Sequence, residues 1–178
     1  MTRDQQIQWC IDQHRNTNHM YDMYLPYEFH LRMVVNVYKD FKDLLEPNHD
    51  HLVEICELAA WGHDLIEDTR VSYGDVKKVL GEMAANIIYA VSNEKGKNRK
   101  ERANAKYYEG IRNTEGAIFI KVCDRVANVQ YSKMSKSRMF EMYREENKHF
   151  MEQLGYIDGM SDHKYLPIFK YLINLFKN

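Results

Sequence analysis

The segment Trp61-Gly62-His63-Asp64-Leu65-Ile66-Glu67-Asp68-Thr69 sets one imidazole and three carboxylates within six positions, directly after the apolar run from Ile55 to Trp61. Read as one continuous helix, it places His63 and Glu67 on one face, four residues apart, and Asp64 and Asp68 on another. The apolar run predicts a helix buried on most sides. Carboxylates packed together there repel, and burying them unpaired is costly. A divalent cation removes the conflict, because it neutralises the carboxylates and accepts a neutral imidazole as ligand. The competing reading is an exposed acidic helix end. A second carboxylate, Asp124, lies among Ile118, Ile120, Val122, Cys123, Val126 and Val129, and so also needs a partner. Asn128, four residues on, faces the same way, whereas Arg125 points about 100° away. The competing reading here is an ion pair with a buried Arg or Lys from elsewhere. The third candidate is His30, in Leu25-Pro-Tyr-Glu-Phe-His30-Leu-Arg-Met-Val-Val. Taken alone, it reads equally as a core histidine.

The order of these features is specific. One His, an adjacent His-Asp pair and a distant Asp, each in a predicted helix, resemble the ligand set of the HD metal-dependent phosphohydrolase superfamily. Within it, His63-Asp64-x-x-Glu67-Asp68-Thr69 resembles the HDxxEDT motif of the RelA/SpoT-type hydrolases, which remove pyrophosphate from the 3′ position of ppGpp. Pro26-Tyr27-x-x-His30 is similar to that family's PYxxHP element, and Lys121-x-x-Asp124-Arg125-x-x-Asn128 to its KxADRxxN element. The separations are also similar: 33 residues from His30 to His63, and 60 from Asp64 to Asp124. The resemblance covers roughly residues 5–155.

The resemblance implies that His30, His63, Asp64 and Asp124 hold one divalent ion, Mn²⁺ ahead of Fe²⁺ or Co²⁺. It implies that Glu67 and Asp68 orient or deprotonate the attacking water, and that Asn128 lies near the substrate. The implied activity is attack of metal-activated water on a phosphate or pyrophosphate ester of a nucleotide, with (p)ppGpp as the leading substrate. The alternatives are an HD-type nucleotidase or phosphatase on another small phosphorylated metabolite, and a non-catalytic nucleotide-binding HD module. The chain departs from the family at several positions. His19 stands about where the family has an Arg in R-x-x-G-x-PY, and no Gly follows it. Leu31 replaces the Pro after the first His, and Cys123 the small residue before the later Asp. Arg15, His19 and Arg102 are carried forward as candidate substrate contacts. Arg102 belongs to a basic stretch, Lys95 to Lys106, of the kind that suits a phosphate-rich ligand.

These groups must be positioned by helices. With 3 Pro, 8 Gly and no Asn-Gly or Asp-Gly turn, the chain shows helical rather than alternating periodicity. Ile7, Cys10, Ile11 and His14 mark a first helix. Pro26 suits the first turn of a second helix, which Pro47 ends, and Asn48 or Asp50 caps the next, through Leu65. Ser72 with Asp75 starts a short helix that Gly81 ends. Further helices are expected over 82–92, 98–112, from Ala117 to Met134 after Gly116, over 138–154 and over 162–176. The expected fold is one all-α domain, residues 1–178, an HD-type bundle of about eight or nine helices.

Composition bounds the remaining classes. The 178 residues hold 25 Lys+Arg against 26 Asp+Glu, which argues against duplex nucleic acid as partner. The 44% hydrophobic content supports a sizeable core. Three widely spaced cysteines, no apolar leader and no membrane-length run point to a cytoplasmic chain that meets no membrane. Oligomeric state is not legible.

Overall fold

The computed structural model describes residues 1–45 and 50–177. The expected stop at Pro47 and cap at Asn48 fall outside them. The chain folds as α1 (Arg3–Asn16), a small hairpin of β1 (Met20–Tyr21) and β2 (Leu25–Pro26), α2 (Glu28–Phe41) continued by a 3₁₀ turn (Lys42–Leu45), α3 (Asp50–Gly62) and α4 (Leu65–Asp68). It continues with α5 (Tyr73–Leu80), α6 (Glu82–Val91), α7 (Arg99–Arg102), α8 (Ala105–Asn113), α9 (Ala117–Met134), α10 (Met139–Gln153) and α11 (Leu166–Leu175). Among the described residues, nine helices have eight or more residues. The expectation of an all-α bundle of about eight or nine helices therefore describes the fold.

Local chemistry sets most of the boundaries. Thr2 and Gln5 form a capping box at the start of α1, and Ser72 and Asp75 another at α5. Each satisfies two backbone groups that the first turn leaves without intrahelical partners. Two expectations shift. Pro26 lies in β2, two residues ahead of α2, because Met20 and Tyr21 pair antiparallel with Pro26 and Leu25. The single helix expected over 98–112 is two, since Asn104 accepts from the Tyr107 N–H and starts α8 anew.

The core forms around α9, which packs against α2, α3, α6, α8, α10 and α11. It buries Phe119, Ile120, Val122, Val126 and Val129 with essentially no exposure. Truncating a buried Phe such as Phe119 to Ala removes about 3–5 kcal/mol of stability. Gly116 starts this helix at φ +83°, and a Cβ there would lie 2.8 Å from Cys56 Sγ and 3.1 Å from Ile87 Cδ1. The start of the central helix thus needs both glycine's left-handed backbone and its missing side chain.

Candidate metal and active site

The helix expected to run through His63 breaks. α3 ends at Gly62, and His63 and Asp64 form a turn before α4. On one continuous helix, adjacent side chains would diverge by about 100°. In the turn they converge: His63 Nε2 lies 2.8 Å from Asp64 Oδ2. His63 and Glu67 therefore do not share a face as expected. His63 Nδ1 lies 2.9 Å from the Ala60 carbonyl. A carbonyl only accepts, so the His63 proton sits on Nδ1 and the Nε2 lone pair faces the site.

α2 supplies His30 and α9 supplies Asp124. His30 Nε2 lies 3.1 Å from His63 Nε2, 3.3 Å from Asp124 Oδ1 and 3.6 Å from Asp64 Oδ2. His63 Nε2 is 3.8 Å from Asp124 Oδ1. Ligands each about 2.1 Å from one cation sit roughly 3–3.5 Å apart, so these spacings fit a shared divalent ion. His30, His63 and Asp124 form a cluster able to hold a metal. Both imidazoles are fully buried.

Electrostatics point the same way. Burial opposes charge on His30, but the carboxylates of Asp124 and Asp64 outweigh it and raise the imidazole to about 9. His63 is raised too, chiefly by Asp64 against its own burial. Burial opposes ionisation of Asp64, yet the two imidazoles hold it well below the carboxylate range. Asp124 is likewise held low, by the Lys121 ammonium at 3.2 Å and by His30. The lysine paired with Asp124 thus comes from its own helix, while His30 approaches from α2. Asn128 Nδ2 also donates to Asp124 Oδ1, at 2.6 Å, while the Asn128 carbonyl accepts from the Tyr21 hydroxyl at 3.0 Å.

Beside this cluster stand the two remaining carboxylates. The Tyr27 hydroxyl donates to Asp64 and lies 3.3 Å from Asp68 Oδ2. Burial, with Asp64 and Glu67 nearby, raises Asp68 to about 7. Glu67 turns the other way, accepting from the Asn93 backbone N–H at 3.1 Å and from its side-chain amide at 2.8 and 3.0 Å.

A cavity of about 660 Å³ opens over these groups. Its lining includes His30, Asp64, Glu67, Asp68, Asp124 and Asn128. It also includes Lys121, Arg99, Arg102 and Arg125, the carboxylate of Glu146, and Tyr107, Tyr143 and Phe150 as an aromatic wall. Of the candidate substrate contacts, Asn128 and Arg102 reach the cavity. Arg15 does not: it pairs with Glu28 and Asp12 on the surface. His19 lies behind Tyr27 rather than in the lining. Arg99 belongs to the basic stretch and Arg125 to the Asp124 element, but sequence reading missed that the two share Glu146 and that Arg125 packs over Phe150 and Tyr143. The interval from Arg125 to Glu146 crosses two helices and carried no spacing signal. Lys95 and Lys106 line a separate groove between α6 and α8, and Lys133 donates to the carbonyls of Leu175 and Lys177.

An all-α bundle thus gathers two histidines and two aspartates beside a cavity lined by both cationic and carboxylate side chains. The chain is similar to the guanosine-3′,5′-bis(diphosphate) 3′-pyrophosphohydrolase MESH1 of Drosophila melanogaster, 29% identical over 73 residues, 41% of each chain. It is 23% identical over 124 residues to the protein of the same name from Danio rerio, covering 70% of this chain and 65% of that one. The chain thus spans less than two thirds of the length of either relative. A solved metazoan ortholog of SpoT that hydrolyzes ppGpp shares the fold, with a TM-score of 0.68, 20% identity, and coverage of 96% of this chain and 92% of that one. No family model matches the chain.

Proposed function

We propose that the chain is a metal-dependent phosphohydrolase that removes pyrophosphate from the 3′ position of a ppGpp-type nucleotide. The observation that carries this reading is the convergence of His30, His63, Asp64 and Asp124 beside a cavity that His30, Asp64 and Asp124 line together with Lys121, Arg99, Arg102, Arg125 and an aromatic wall. The names of the related hydrolases supply the substrate. The four converging residues hold one divalent ion, with Mn²⁺ first. When bound, the cation supplies Lewis acidity, polarising a phosphoryl oxygen and acidifying water.

The chain's own residues do the rest. Asp68, raised to about 7, is poised to take a proton from the attacking water near neutral pH. Glu67, clamped by Asn93, orients that water. Asn128 holds the orientation of Asp124. Lys121, Arg99, Arg102 and Arg125 place positive charge where phosphates enter, and Tyr107, Tyr143 and Phe150 offer flat surfaces to a base. All three cysteines are free and buried, which suits a reducing cytoplasm.

The test is phosphate and pyrophosphate release with Mn²⁺ from ppGpp, common nucleoside mono-, di- and triphosphates, and NADPH, with His63→Ala as control. Pyrophosphate from ppGpp, lost in the control, is the expected result. Orthophosphate from another substrate moves the protein to a different HD activity. Silence with metal bound favours a nucleotide-binding module.

A further inference from the structure

Where the resembled family places an Arg, this chain has His19, and the structure gives that residue no cavity surface. It gives it a stack instead. The rings of His14, His19 and Tyr27 lie nearly parallel, with His19 and Tyr27 centroids 3.8 Å apart at 16°, and His14 and Tyr27 4.5 Å apart at 22°. The backbone fixes the three: the His19 N–H donates to the His14 carbonyl at 3.0 Å, and the Tyr27 N–H to the His19 carbonyl at 3.3 Å. Tyr27 then places one hydroxyl against both Asp64 and Asp68.

The stack is also ordered in its protons. His14 is buried, and its Nε2 has no hydrogen-bond partner, while its Nδ1 lies 3.1 Å from His19 Nδ1. The His14 proton belongs on Nδ1, where it has an acceptor, because a buried N–H without one is costly. His19 Nδ1 must then accept, which places the His19 proton on Nε2. That atom faces Asp68 Oδ2 at 3.9 Å. The other assignment would aim a lone pair at a carboxylate.

We propose that His19 is a positioning residue: stacked with His14 on Tyr27, it holds the phenol so that one hydroxyl sets the separation between the metal-ligand carboxylate of Asp64 and the proton-accepting carboxylate of Asp68. This rests on the proposed metal-dependent reading and assigns a role to a residue that touches neither substrate nor metal. Loss of partners outside the ligand set typically costs 10–100-fold in metal affinity or activity. Tyr27→Phe keeps the ring and loses the hydroxyl. His19→Ala loses the ring. His19→Phe keeps a ring without nitrogens.

The experiment measures Mn²⁺ affinity by titration calorimetry, kcat and KM for ppGpp, and melting temperature for the four proteins. Tyr27→Phe and His19→Ala are expected to lose about tenfold or more in Mn²⁺ affinity or kcat, with KM within about twofold and melting temperatures close to the parent. His19→Phe recovers most of what His19→Ala loses. Nitrogen-15 NMR of the parent is expected to show His19 protonated at Nε2. Full Mn²⁺ affinity and kcat in His19→Ala overturns the inference, as does a His19→Phe variant that is folded yet no better than His19→Ala. A parent that binds Mn²⁺ but leaves ppGpp intact refutes only the substrate reading, and the affinity arm still decides the role of His19. A parent that binds no Mn²⁺ removes both.

Discussion

Without metal, the His30 imidazole replaces the cation between two carboxylates, and its protonation makes a measurable prediction. Asp124 and Asp64 raise it to about 9, against about 6.5 in an unfolded chain. A group with a raised folded-state pKa stabilises fully below the unfolded value and loses that contribution as pH rises through the folded one. At roughly 1.4 kcal/mol per unit, the window from pH 6.5 to 9 spans about 3 kcal/mol. For a chain of this size, that is roughly 10 °C in melting temperature. The metal-free protein in EDTA is therefore expected to melt lower at pH 9 than at pH 6.5. Mn²⁺ reverses the trend, because its binding must expel the same proton. Its apparent affinity is expected to rise up to about tenfold per pH unit across this window. Thermal melts with and without EDTA, together with Mn²⁺ titrations in buffers of different ionisation enthalpy, measure both effects. A metal-free melting temperature flat from pH 6.5 to 9, or a Mn²⁺ affinity indifferent to pH, refutes the reasoning. His30→Asn should reduce the slope, the remainder belonging to the likewise raised His63, while leaving the fold.

Asp68→Asn is expected to keep Mn²⁺ and lose about 10²–10⁴-fold in kcat, read as pyrophosphate release against metal content by atomic absorption; unchanged turnover removes its role as proton acceptor. Asn93→Ala removes the two side-chain amide hydrogen bonds to the Glu67 carboxylate and keeps the backbone one; kcat should fall about tenfold or more, with metal content unchanged. Gly116→Ala combines strain at φ +83° with a Cβ 2.8 Å from Cys56 Sγ; chemical denaturation should show a loss of about 2–4 kcal/mol, from left-handed strain and overpacking together.

The helical bundle was legible because its signals are local. Apolar spacing around Cys10, Ile11 and His14, the Ser72 cap and Gly116 each fix an element without distant partners. His30, His63, Asp64 and Asp124 were legible as candidates through their types and order, and the structure brings them together. What escaped was geometry made by non-local packing. Periodicity continued the helix through His63, because Gly62 alone did not announce a stop. Glu67 was grouped with Asp68, but Asn93, 26 positions away, pulls it aside. Arg15, in the last turn of α1, is only four residues from His19, and only the fold shows that it pairs with Glu28 on the surface. The hairpin at Met20 and Leu25 is too short for alternation to register.

The break after Gly62 sets local stability against chemistry. A better helix former at this position would favour continuing α3 by up to about 1 kcal/mol in intrinsic propensity. It would also bring a Cβ to 2.7 Å from Ile88 Cδ1 and 3.0 Å from Leu65 Cδ1. Extending the helix would rotate His63 and Asp64 onto different faces and separate a pair whose value lies in adjacency. The working part of the molecule is thus a deliberate flaw in its regular structure. A change that only favoured regular helix here would close the break, whereas the proposed metal site needs it open.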